Sequence, residues 1–450
     1  MKIAIVGTGY VGLVTGISLS MLGHHVICID SDKDKVSMIK RGESPFYEPH
    51  INTCLKKVIN MKLFHATQKL EEGILGSDVT IIAVGTPTVN NKIDLSAIKK
   101  VSGQIGIALA KVKKYHTVVV KSTVLPGVTE EIIKPIIEKF SNKKVGKFGI
   151  CMSPEFLREG NAMKDALYPD RIIIGQIDQK SGKEFAKIYK NVLVPKIFTN
   201  LSTAEMIKYA SNALFATLIS YANEVSRISE NTGKIDVIDV WKGVHLDKRL
   251  SPYNGKTRIK PGILNYILSG CGFGGSCLPK DIKALANFAD GLGVETELIK
   301  SVININRTQP HRIILLLKQA LGENLKDKKI AILGLTFKPN TDDIRESVAF
   351  PIIEELLSEN AKVICHDPKA YKENVPKQLT KLSITLANTA QEAIKNADAV
   401  IIVTAWKEYV KLTPQFFKQN MKQAIIVDGR RIYDKNSFIS AGVIYKGIGL

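Results

Sequence analysis

The sequence predicts an α/β protein in which two doubly wound, parallel-sheet domains are joined by a central helical domain. Three observations lead to this prediction. A glycine-rich turn lies between two apolar strands at the start of the chain, and the same strand pattern returns in the last third. Between the two repeats, a long helical stretch runs from residue 202 to about residue 233. At 450 residues, the chain is long enough for two or three domains.

Composition narrows the class of protein and its partners. An apolar fraction of 45% and a charged fraction of 24% are typical of a globular protein. The formal net charge of +20 comes from short lysine groups without interleaved aromatic residues, so we expect phosphate-bearing small ligands rather than nucleic acid. The apolar run at residues 3–6 is too short for a signal peptide, and no run suits a transmembrane helix. Six scattered cysteines without a C-x-x-C pair indicate a reducing, cytoplasmic compartment.

The first glycine-rich turn has the full context of a dinucleotide-binding fingerprint. Residues 2–6 form a strand, the turn Gly7-Thr-Gly9-Tyr10-Val11-Gly12 follows, and a helix leads to a second strand at residues 25–30. Gly7 permits the tight turn, Gly9 lets a pyrophosphate approach, and Gly12 lets helix and strand pack closely. The helix N-terminus then faces the phosphates. This context predicts a Rossmann-like domain that binds a dinucleotide.

The end of the second strand indicates which dinucleotide is bound. Asp30 closes that strand, where a carboxylate accepts hydrogen bonds from ribose hydroxyls and repels a 2′-phosphate. NAD is therefore favoured over NADP, although Lys35 lies close enough to weaken this preference. Two further strands end at Thr86 and at Ser122-Thr123, where side chains of a doubly wound sheet meet ligands. These three residues are equally compatible with ordinary turn and helix-cap positions.

Two stretches carry candidate acid–base groups. A short strand at residues 148–152 is followed by Pro154, and if Pro154 opens a helix, Glu155 and Glu159 lie one turn apart on one face. Such carboxylates serve acid–base chemistry or simply match the helix dipole. The residues Ser202-Thr-Ala-Glu205 predict a capping box for the central helix, which carries Lys208 and Asn212 four residues apart. Lys208 is either a snorkelling surface group or a functional cation, and the helix itself can form a dimer surface.

The segment from Gly270 to Asp281 contains the strongest nucleophile candidate. Glycines at 272, 274 and 275 precede Cys277, and Pro279 opens a helix directly after it. A thiol at a helix N-terminus beside Lys280 is expected to have a lowered pKa. The alternative is a glycine-rich loop with a small buried cysteine.

The last third of the chain predicts a second domain of the same kind. Its first turn lacks the glycine fingerprint, so we do not expect it to hold a second dinucleotide in the same way. Four cations at its strand ends are placed to clamp phosphates: Lys338, Arg345, Arg430 and Arg431.

Taken together, the motifs resemble the UDP-glucose/GDP-mannose dehydrogenase family, most closely those members that oxidise UDP-glucose. The resemblance runs from end to end and rests on residues 7–12, 122–124, 154–160, Lys208 with Asn212, 272–281, 337–345 and 428–431. It implies an NAD-binding domain over residues 1–200, a central helical domain with the cysteine loop over 201–300, and a UDP-binding domain over 301–450. It also implies a cytoplasmic homodimer.

The resemblance further implies a reaction without a metal. UDP-glucose would be oxidised at C6 to UDP-glucuronate by two NAD⁺, through a thiohemiacetal and a thioester on Cys277. Glu155 would handle protons, Lys208 with Asn212 would stabilise the oxyanion, and Asp281 with Thr123 would position water. Implied cofactor contacts are Gly7, Gly9, Tyr10, Val11, Gly12, Asp30, Lys35, Thr86, Ser122, Thr123, Glu159, Lys280 and Arg345. Implied substrate contacts are Glu155, Phe156, Leu157, Lys208, Asn212, Arg249, Gly274, Phe337, Lys338 and Arg430.

One departure from the family pattern leaves more than one candidate for the sugar of the substrate. An arginine that reaches the sugar across the dimer usually lies shortly before the cysteine segment, but here residues 251–260 intervene, so Arg249 or Arg258 could take that part. The same chemistry on a UDP-N-acetylhexosamine or on GDP-mannose is therefore an alternative. A two-electron hydroxyacid-type dehydrogenase with a structural Cys277, and an NAD-binding module without turnover, are further alternatives.

Overall fold

The computed structural model of the chain describes residues 1–89, 92–370 and 384–450. The chain divides into two compact units, Met1–Ser211 and Asn212–Leu450. The strands of the first unit are β1 (Lys2–Val6), β2 (His25–Ile29), β3 (Phe64–Thr67), β4 (Val79–Ile82), β5 (Thr88–Val89), β6 (Lys92–Ile93), β7 (Thr117–Val120), β8 (Gly149–Met152), β9 (Ile172–Gln176) and β10 (Lys196–Thr199). Its helices are α1 (Tyr10–Met21), α2 (Lys33–Lys40), α3 (Ile51–Asn60), α4 (Leu70–Leu75), α5 (Ser96–Lys111), α6 (Lys134–Ser141), α7 (Ala162–Leu167) and α8 (Gln179–Ala186).

The first unit is built on an eight-stranded sheet with the order β10-β9-β8-β7-β4-β1-β2-β3. The strands from β8 to β3 pair in parallel, whereas β9 runs antiparallel to β8 and β10 runs parallel to β9. The central strands are almost entirely buried because apolar side chains cover both faces of the sheet. The order reverses between β1 and β4, which is where doubly wound sheets bind ligands. The apolar run within residues 171–175 predicts β9 as a strand, but no local pattern indicates its reversed direction or the presence of β10.

Helix α9 (Leu201–Thr232) begins in the first unit and ends in the second, close to the predicted bounds. The predicted capping box is wrong. Asn200 caps the helix instead, because its side-chain oxygen accepts from the Thr203 N–H (2.7 Å). The Glu205 carboxylate instead accepts hydrogen bonds from the N–H groups of Gly127 (2.7 Å) and Thr129 (2.9 Å).

The second unit contains the remaining elements. Its helices are α10 (Val237–His245), α11 (Leu278–Gly291), α12 (Glu297–Leu321), α13 (Ala349–Ser358), α14 (Ala390–Ile394), α15 (Lys407–Val410), α16 (Pro414–Asn420) and α17 (Lys435–Ser440). Its strands are β11 (Tyr253–Asn254), β12 (Thr257–Arg258), β13 (Lys329–Leu333), β14 (Lys362–His366), β15 (Ile384–Leu386), β16 (Ala399–Ile402), β17 (Ile425–Asp428) and β18 (Ile444–Gly447).

The second large sheet repeats the first. Its order is β15-β14-β13-β16-β17-β18, and each pair within it is parallel. Strand β13 pairs with β14 starting at Lys329 and Lys362, just as β1 pairs with β2 starting at Lys2 and His25. The predicted α/β class, with two Rossmann-like sheets and a helical region between them, is therefore confirmed. None of the helices in the described parts of the chain is long and apolar enough to cross a membrane.

Candidate functional site

The glycine turn after β1 forms an open cradle at the N-terminus of α1. Gly7 has φ +98°, and a Cβ atom there would lie 2.6 Å from the Ala83 carbonyl oxygen. A Cβ atom on Gly12 would lie 1.9 Å from the Gly7 carbonyl oxygen. At Gly9 a Cβ atom would meet nothing within 4 Å, and no side chain caps α1. Gly7 and Gly12 are thus required by packing, while Gly9 and the uncapped N–H groups border open space, which suits a pyrophosphate.

Asp30 directly follows β2, as predicted. Its carboxylate accepts from the Thr8 N–H (2.8 Å) and hydroxyl (2.7 Å), and from the Asp32 N–H (3.0 Å). Burial alone raises the pKa of Asp30, but these hydrogen bonds and the Lys35 charge outweigh burial and hold the pKa below its ordinary value. Lys35 itself lies 3.7 Å from the Asp32 carboxylate. An ionised carboxylate therefore stands at the strand end where a ribose is expected.

The second sheet carries a carboxylate at the same place, and the chain donates more hydrogen bonds to it than to Asp30. Asp367 follows β14 and is buried. One of its oxygens accepts from the N–H groups of Leu335 and Thr336 and from the Trp406 indole, and the other accepts from two further backbone N–H groups. Asp367 is thus engaged by its own domain, in agreement with the missing glycine fingerprint.

The strand-end hydroxyls of the first sheet join β4 to β7. Thr86 donates to the Thr123 carbonyl (2.7 Å), and Ser122 donates to the Val84 carbonyl (2.7 Å). These side chains hold two strand ends together, which agrees with the structural reading of the pair Thr86 and Ser122. The Thr123 backbone takes part in the same contact.

A buried ion pair lies beyond the end of β8. The Lys208 ammonium donates to one carboxylate oxygen of Glu155 (2.8 Å) and to the Glu155 carbonyl (2.8 Å), and the side chains are 4% and 6% exposed. The other carboxylate oxygen accepts from the Leu157 N–H (2.6 Å). Burial raises the pKa of Glu155, but Lys208, the Leu157 N–H and Lys121 outweigh it, so the pKa lies below its ordinary value. Lys208 is therefore a buried cation rather than a snorkelling surface group.

The predicted helix after Pro154 is wrong. Residues 153–158 have no regular secondary structure, and α7 begins only at Ala162. Glu155 and Glu159 therefore do not share a helical face, because the Glu155 side chain is held by Lys208 and by the loop backbone. The Phe156 ring lies beside the same pair, with the Arg171 guanidinium 4.1 Å and the Lys208 ammonium 5.6 Å from its centroid.

Lys121 is a residue that sequence reasoning missed. It directly follows β7 and lines a pocket together with Glu155, Phe156 and Arg171. Burial, reinforced by the Lys208 charge and opposed by Glu155, lowers the pKa of Lys121 to about 8. No local pattern marks this residue, because its surroundings come from a loop and a helix distant in sequence.

The cysteine loop of the second unit is held by many hydrogen bonds. Its backbone is bound by Asn223 at Gly270 (2.8 Å) and by Asn306 at Phe273 (2.8 and 2.9 Å). A Cβ atom on Gly274 would lie 2.2 Å from the Glu346 carbonyl oxygen, so this glycine is needed for close packing within the chain. The loop ends at Cys277, which is half-buried and directly precedes α11. The predicted position at a helix N-terminus is confirmed.

Three of the predicted polar residues meet within one turn of Cys277. The Asn212 amide donates to one carboxylate oxygen of Asp281 (2.6 Å), and the Lys280 ammonium donates to the other (2.5 Å). Asp281 also donates its N–H to the Cys277 carbonyl (2.9 Å) and is 1% exposed. Asp281 is thus fixed on both oxygens beside the thiol-bearing residue.

The cations at the ends of the second sheet have different surroundings. Arg430 donates to the Val403 carbonyl (2.6 Å) and to the Gly272 carbonyl of the cysteine loop (3.1 Å). Arg431 is 4% exposed and pairs with Asp236 (2.9 Å), so its predicted role as a phosphate clamp is wrong. The ion pair joins the connection after β17 to the N-terminus of α10.

The other two cations lie in the connection between β13 and α13, where Lys338 is half-buried and Arg345 is exposed. Arg345 is 65% exposed and forms a fork with Asp343 (2.8 and 2.9 Å). The Lys338 ammonium lies 5.4 Å from the centroid of the Phe337 ring.

The extra residues before the cysteine loop form the small hairpin of β11 and β12. Arg258 donates within this hairpin region, to the Leu246 carbonyl (2.5 Å) and the Tyr253 hydroxyl (2.9 Å). Arg249 is 89% exposed and pairs with its neighbour Asp247 (2.6 Å). Of the two arginines, only Arg249 therefore extends into solvent.

Comparison with known proteins assigns the chain to a family. Three domains described for the UDP-glucose/GDP-mannose dehydrogenase family match in order: the NAD binding domain at residues 1–193, the central domain at 202–308 and the UDP binding domain at 331–435. The chain belongs to this family.

Full-length relatives agree with this assignment. A UDP-glucose 6-dehydrogenase of Bacillus subtilis is 36% identical over 100% of this chain and 98% of its own length. A UDP-glucose dehydrogenase structure from Pyrobaculum islandicum has a TM-score of 0.89 at 34% identity, covering 99% of this chain and 97% of that one. A UDP-D-ManNAc dehydrogenase structure from Pyrococcus horikoshii has a TM-score of 0.84 at 28% identity, covering 100% and 99%.

The family assignment makes the chain an NAD-dependent dehydrogenase. The residues present fit this cofactor, because the glycine cradle is open at Gly9 and Asp30 is ionised at the neighbouring strand end. Across residues 1–89, 92–370 and 384–450, no group of three or more His, Cys, Asp and Glu side chains is arranged to hold a metal ion.

Lys121 generates a prediction on stability. Below pH 8 Lys121 is charged in both states, and the folded state carries the net cost, after the attraction of Glu155, that lowers this pKa to about 8. We expect Lys121→Met to raise the free energy of unfolding at pH 7 by about 1–3 kcal/mol. The difference in free energy of unfolding between Lys121→Met and the parent should decrease from pH 8 to pH 10.5, because Lys121 is then neutral in the folded parent.

Urea unfolding of both proteins at pH 7, 8.5 and 10 measures this effect. Lys113→Met, at an exposed position near the same strand, serves as the matched control and should show no such pH dependence. A gain for Lys121→Met that is equal at all three pH values would contradict the prediction.

Proposed function

We propose that the chain oxidises UDP-glucose at C6 to UDP-glucuronate, using two NAD⁺ and one water for each sugar. The observation that carries this proposal is Cys277, half-buried at the N-terminus of α11, with Asn212 and Asp281 hydrogen-bonded one turn away. A helix N-terminus favours a thiolate. A covalent thioester divides a four-electron oxidation into two feasible hydride transfers. The names of the relatives and the UDP binding domain support a UDP-sugar substrate.

In the proposed reaction, the glycine turn and Asp30 would hold NAD⁺, which would supply the hydride acceptor for two successive oxidations at C6. After the first, Cys277 adds its sulfur to the aldehyde carbon and gives a thiohemiacetal. The second oxidation converts this adduct to a thioester. Water then attacks the thioester carbon, the C–S bond breaks, and the thiolate and the carboxylate product are released. Phe156, Leu157, Gly274, Phe337, Lys338, Arg249 and Arg430 are proposed to hold the substrate.

The charged groups of the first unit suit the proton transfers. Glu155 is buried, ionised and held on both oxygens, so it is suited to take a proton from the attacking water. Lys208 is a buried ammonium, and such a group stabilises negative charge that develops on the sugar oxygen. Asn212 is proposed to assist Lys208, and Asp281 with Thr123 is proposed to position the water.

A UDP-N-acetylhexosamine is the second candidate substrate. One of the similar structures is a UDP-D-ManNAc dehydrogenase. The hairpin of β11 and β12 also contains Arg258 and follows Arg249, the two arginines considered for the sugar contact, so we expect it to affect which sugar is bound. The cofactor and the chemistry at Cys277 would be the same for both substrates.

An NADH assay across UDP-, GDP- and TDP-sugars tests the proposed function. We expect UDP-glucose to give the highest kcat/KM and two NADH for each sugar consumed. One NADH per sugar would indicate a two-electron dehydrogenase. NAD binding without NADH production from any sugar would contradict the enzymatic proposal.

The covalent step predicts the effect of one substitution. Cys277→Ser should lower complete turnover by about 10³-fold or more, because a serine hydroxyl is a much weaker nucleophile than a thiolate. NAD affinity should change less than twofold. Steady-state NADH production and calorimetric NAD binding measure both quantities. Cys54→Ser, at another half-buried cysteine, is the control and should retain normal turnover. Unchanged turnover in Cys277→Ser would rule out the covalent mechanism.

We also propose that the chain is a cytoplasmic homodimer with domains at residues 1–200, 201–300 and 301–450. Helix α9 presents three exposed apolar side chains seven residues apart: Leu214 (51% exposed), Tyr221 (55%) and Ile228 (61%). A regular exposed apolar stripe of this kind is typical of a helix that packs against another chain. All six cysteines are free, which suits a reducing compartment.

The proposed dimer predicts a mass near twice 49.6 kDa by light scattering. Tyr221→Glu should shift the protein to the monomer, because the interface would then bury an unpaired charge. Ile439→Glu, at a similarly exposed apolar position (52%) on α17, is the control and should remain dimeric. A monomeric parent protein would contradict the proposal.

A further inference from the structure

Glu48 is a buried carboxylate that neither the sequence motifs nor the proposed chemistry uses. It lies in the irregular connection between α2 and α3 and is 4% exposed. Its oxygens accept hydrogen bonds from the N–H groups of Gly160 (2.7 Å) and Ala162 (2.7 Å) and from the Tyr10 hydroxyl. No cation forms an ion pair with Glu48 within the described ranges. Three hydrogen-bond donors alone compensate this buried charge.

Burying a carboxylate in this way costs free energy, and packing alone does not require it. A buried carboxylate loses its hydration, and hydrogen bonds must replace it almost completely. An apolar side chain would fill the same space but would leave the N–H groups of Gly160 and Ala162 without an acceptor. The carboxylate is able to do what an apolar side chain cannot, namely fix three donors from separate segments relative to one another.

The three donors belong to two segments that flank the proposed cofactor site. Tyr10 lies within the glycine turn as the first residue of α1, and its ring packs against Phe46 (centroids 4.9 Å apart). Gly160 and Ala162 end the loop that follows β8, and Glu159 immediately precedes them. Residue 161, which precedes α7, provides no side-chain cap, so Glu48 supplies the acceptor for the first N–H of that helix.

The phenol of Tyr10 remains a neutral donor in this cluster. Burial, the hydrogen bond to Glu48 and the charges of Glu48 and Glu159 all raise the pKa of Tyr10 well above its ordinary value. Glu159 is therefore close enough to Tyr10 to act on it electrostatically. The glycine turn, Glu48 and the turn at residues 159–161, here called the Glu159 turn, form one connected cluster inside the first unit.

We propose that Glu48 is a positioning residue for the cofactor: it locks the N-terminus of α1 and the Glu159 turn in the relative position that NAD binds. This inference rests on the proposed function, in which both segments contact NAD. Glu48 itself touches no substrate or cofactor in this proposal. Its loss should therefore weaken NAD binding without directly altering the sites for the sugar nucleotide.

Glu48→Gln is the sharpest test. Glutamine keeps the size of the side chain but directs an NH₂ group at one of two backbone N–H donors, which leaves that donor unsatisfied. We expect the Kd for NAD, measured by calorimetry, and the KM for NAD to rise about tenfold. The KM for UDP-glucose should change less than twofold. Glu43→Gln, at an exposed glutamate in the same connection, is the matched control and should leave both constants unchanged.

Tyr10→Phe provides a second, milder test, because it removes one donor and leaves both backbone bonds to Glu48. We expect about a threefold rise in the Kd for NAD. The double variant should bind NAD no more weakly than Glu48→Gln alone, because both changes act through the same carboxylate.

The proposal is overturned if Glu48→Gln melts at a lower temperature but binds NAD normally, since Glu48 would then be only structural. An equal rise in the two KM values would overturn it as well. If Glu48→Gln does not fold, an unchanged Kd in Tyr10→Phe overturns it. If the parent binds NAD but forms no NADH from any sugar, the proposed function fails, while the Kd values of the variants still decide the role of Glu48.

Discussion

The buried pair of Lys208 and Glu155 is the constraint on which the conformation of the loop after β8 depends. It joins a helix to a loop without regular secondary structure, and Lys208 binds both the carboxylate and the backbone of Glu155. A buried ion pair stabilises a fold little, compared with apolar packing, but breaking it leaves an uncompensated charge. The pair therefore makes the loop conformation costly to change. This rigidity suits the proton-transfer role proposed for Glu155.

The two sheets show how one framework serves two purposes. Both place a carboxylate after their second strand, but Asp30 keeps an open cradle beside it, whereas the backbone and Trp406 surround Asp367. The first turns differ as well, since Gly9 borders open space in one sheet, whereas the N–H groups of Leu335 and Thr336 bind Asp367 in the other. The same strand order thus leads to an NAD binding domain and a UDP binding domain.

Much of the fold was predictable because its signals are local. The glycine turn, the strand repeats and the helix with Lys208 each follow from residues that are adjacent in sequence. The direction of β9 was not predictable, because strand polarity depends on partners distant in the chain. The prediction of a helix after Pro154 was wrong for a similar reason, since the contact between Lys208 and Glu155 overrides the local helix preference. Lys121 and Glu48 carry no motif, and only their spatial neighbours distinguish them.

The cysteines show a marked division of environment. Cys28, Cys151, Cys271 and Cys365 are buried, and burial raises the pKa of each thiol, whereas Cys54 and Cys277 are partly accessible. A soft electrophile in solution reacts with thiolates that it can reach, so the folded chain offers it few targets. Chemoproteomic or covalent-fragment probes would therefore meet two partly accessible thiols in the native protein, and Cys54→Ser would leave the one in the cysteine loop as their target.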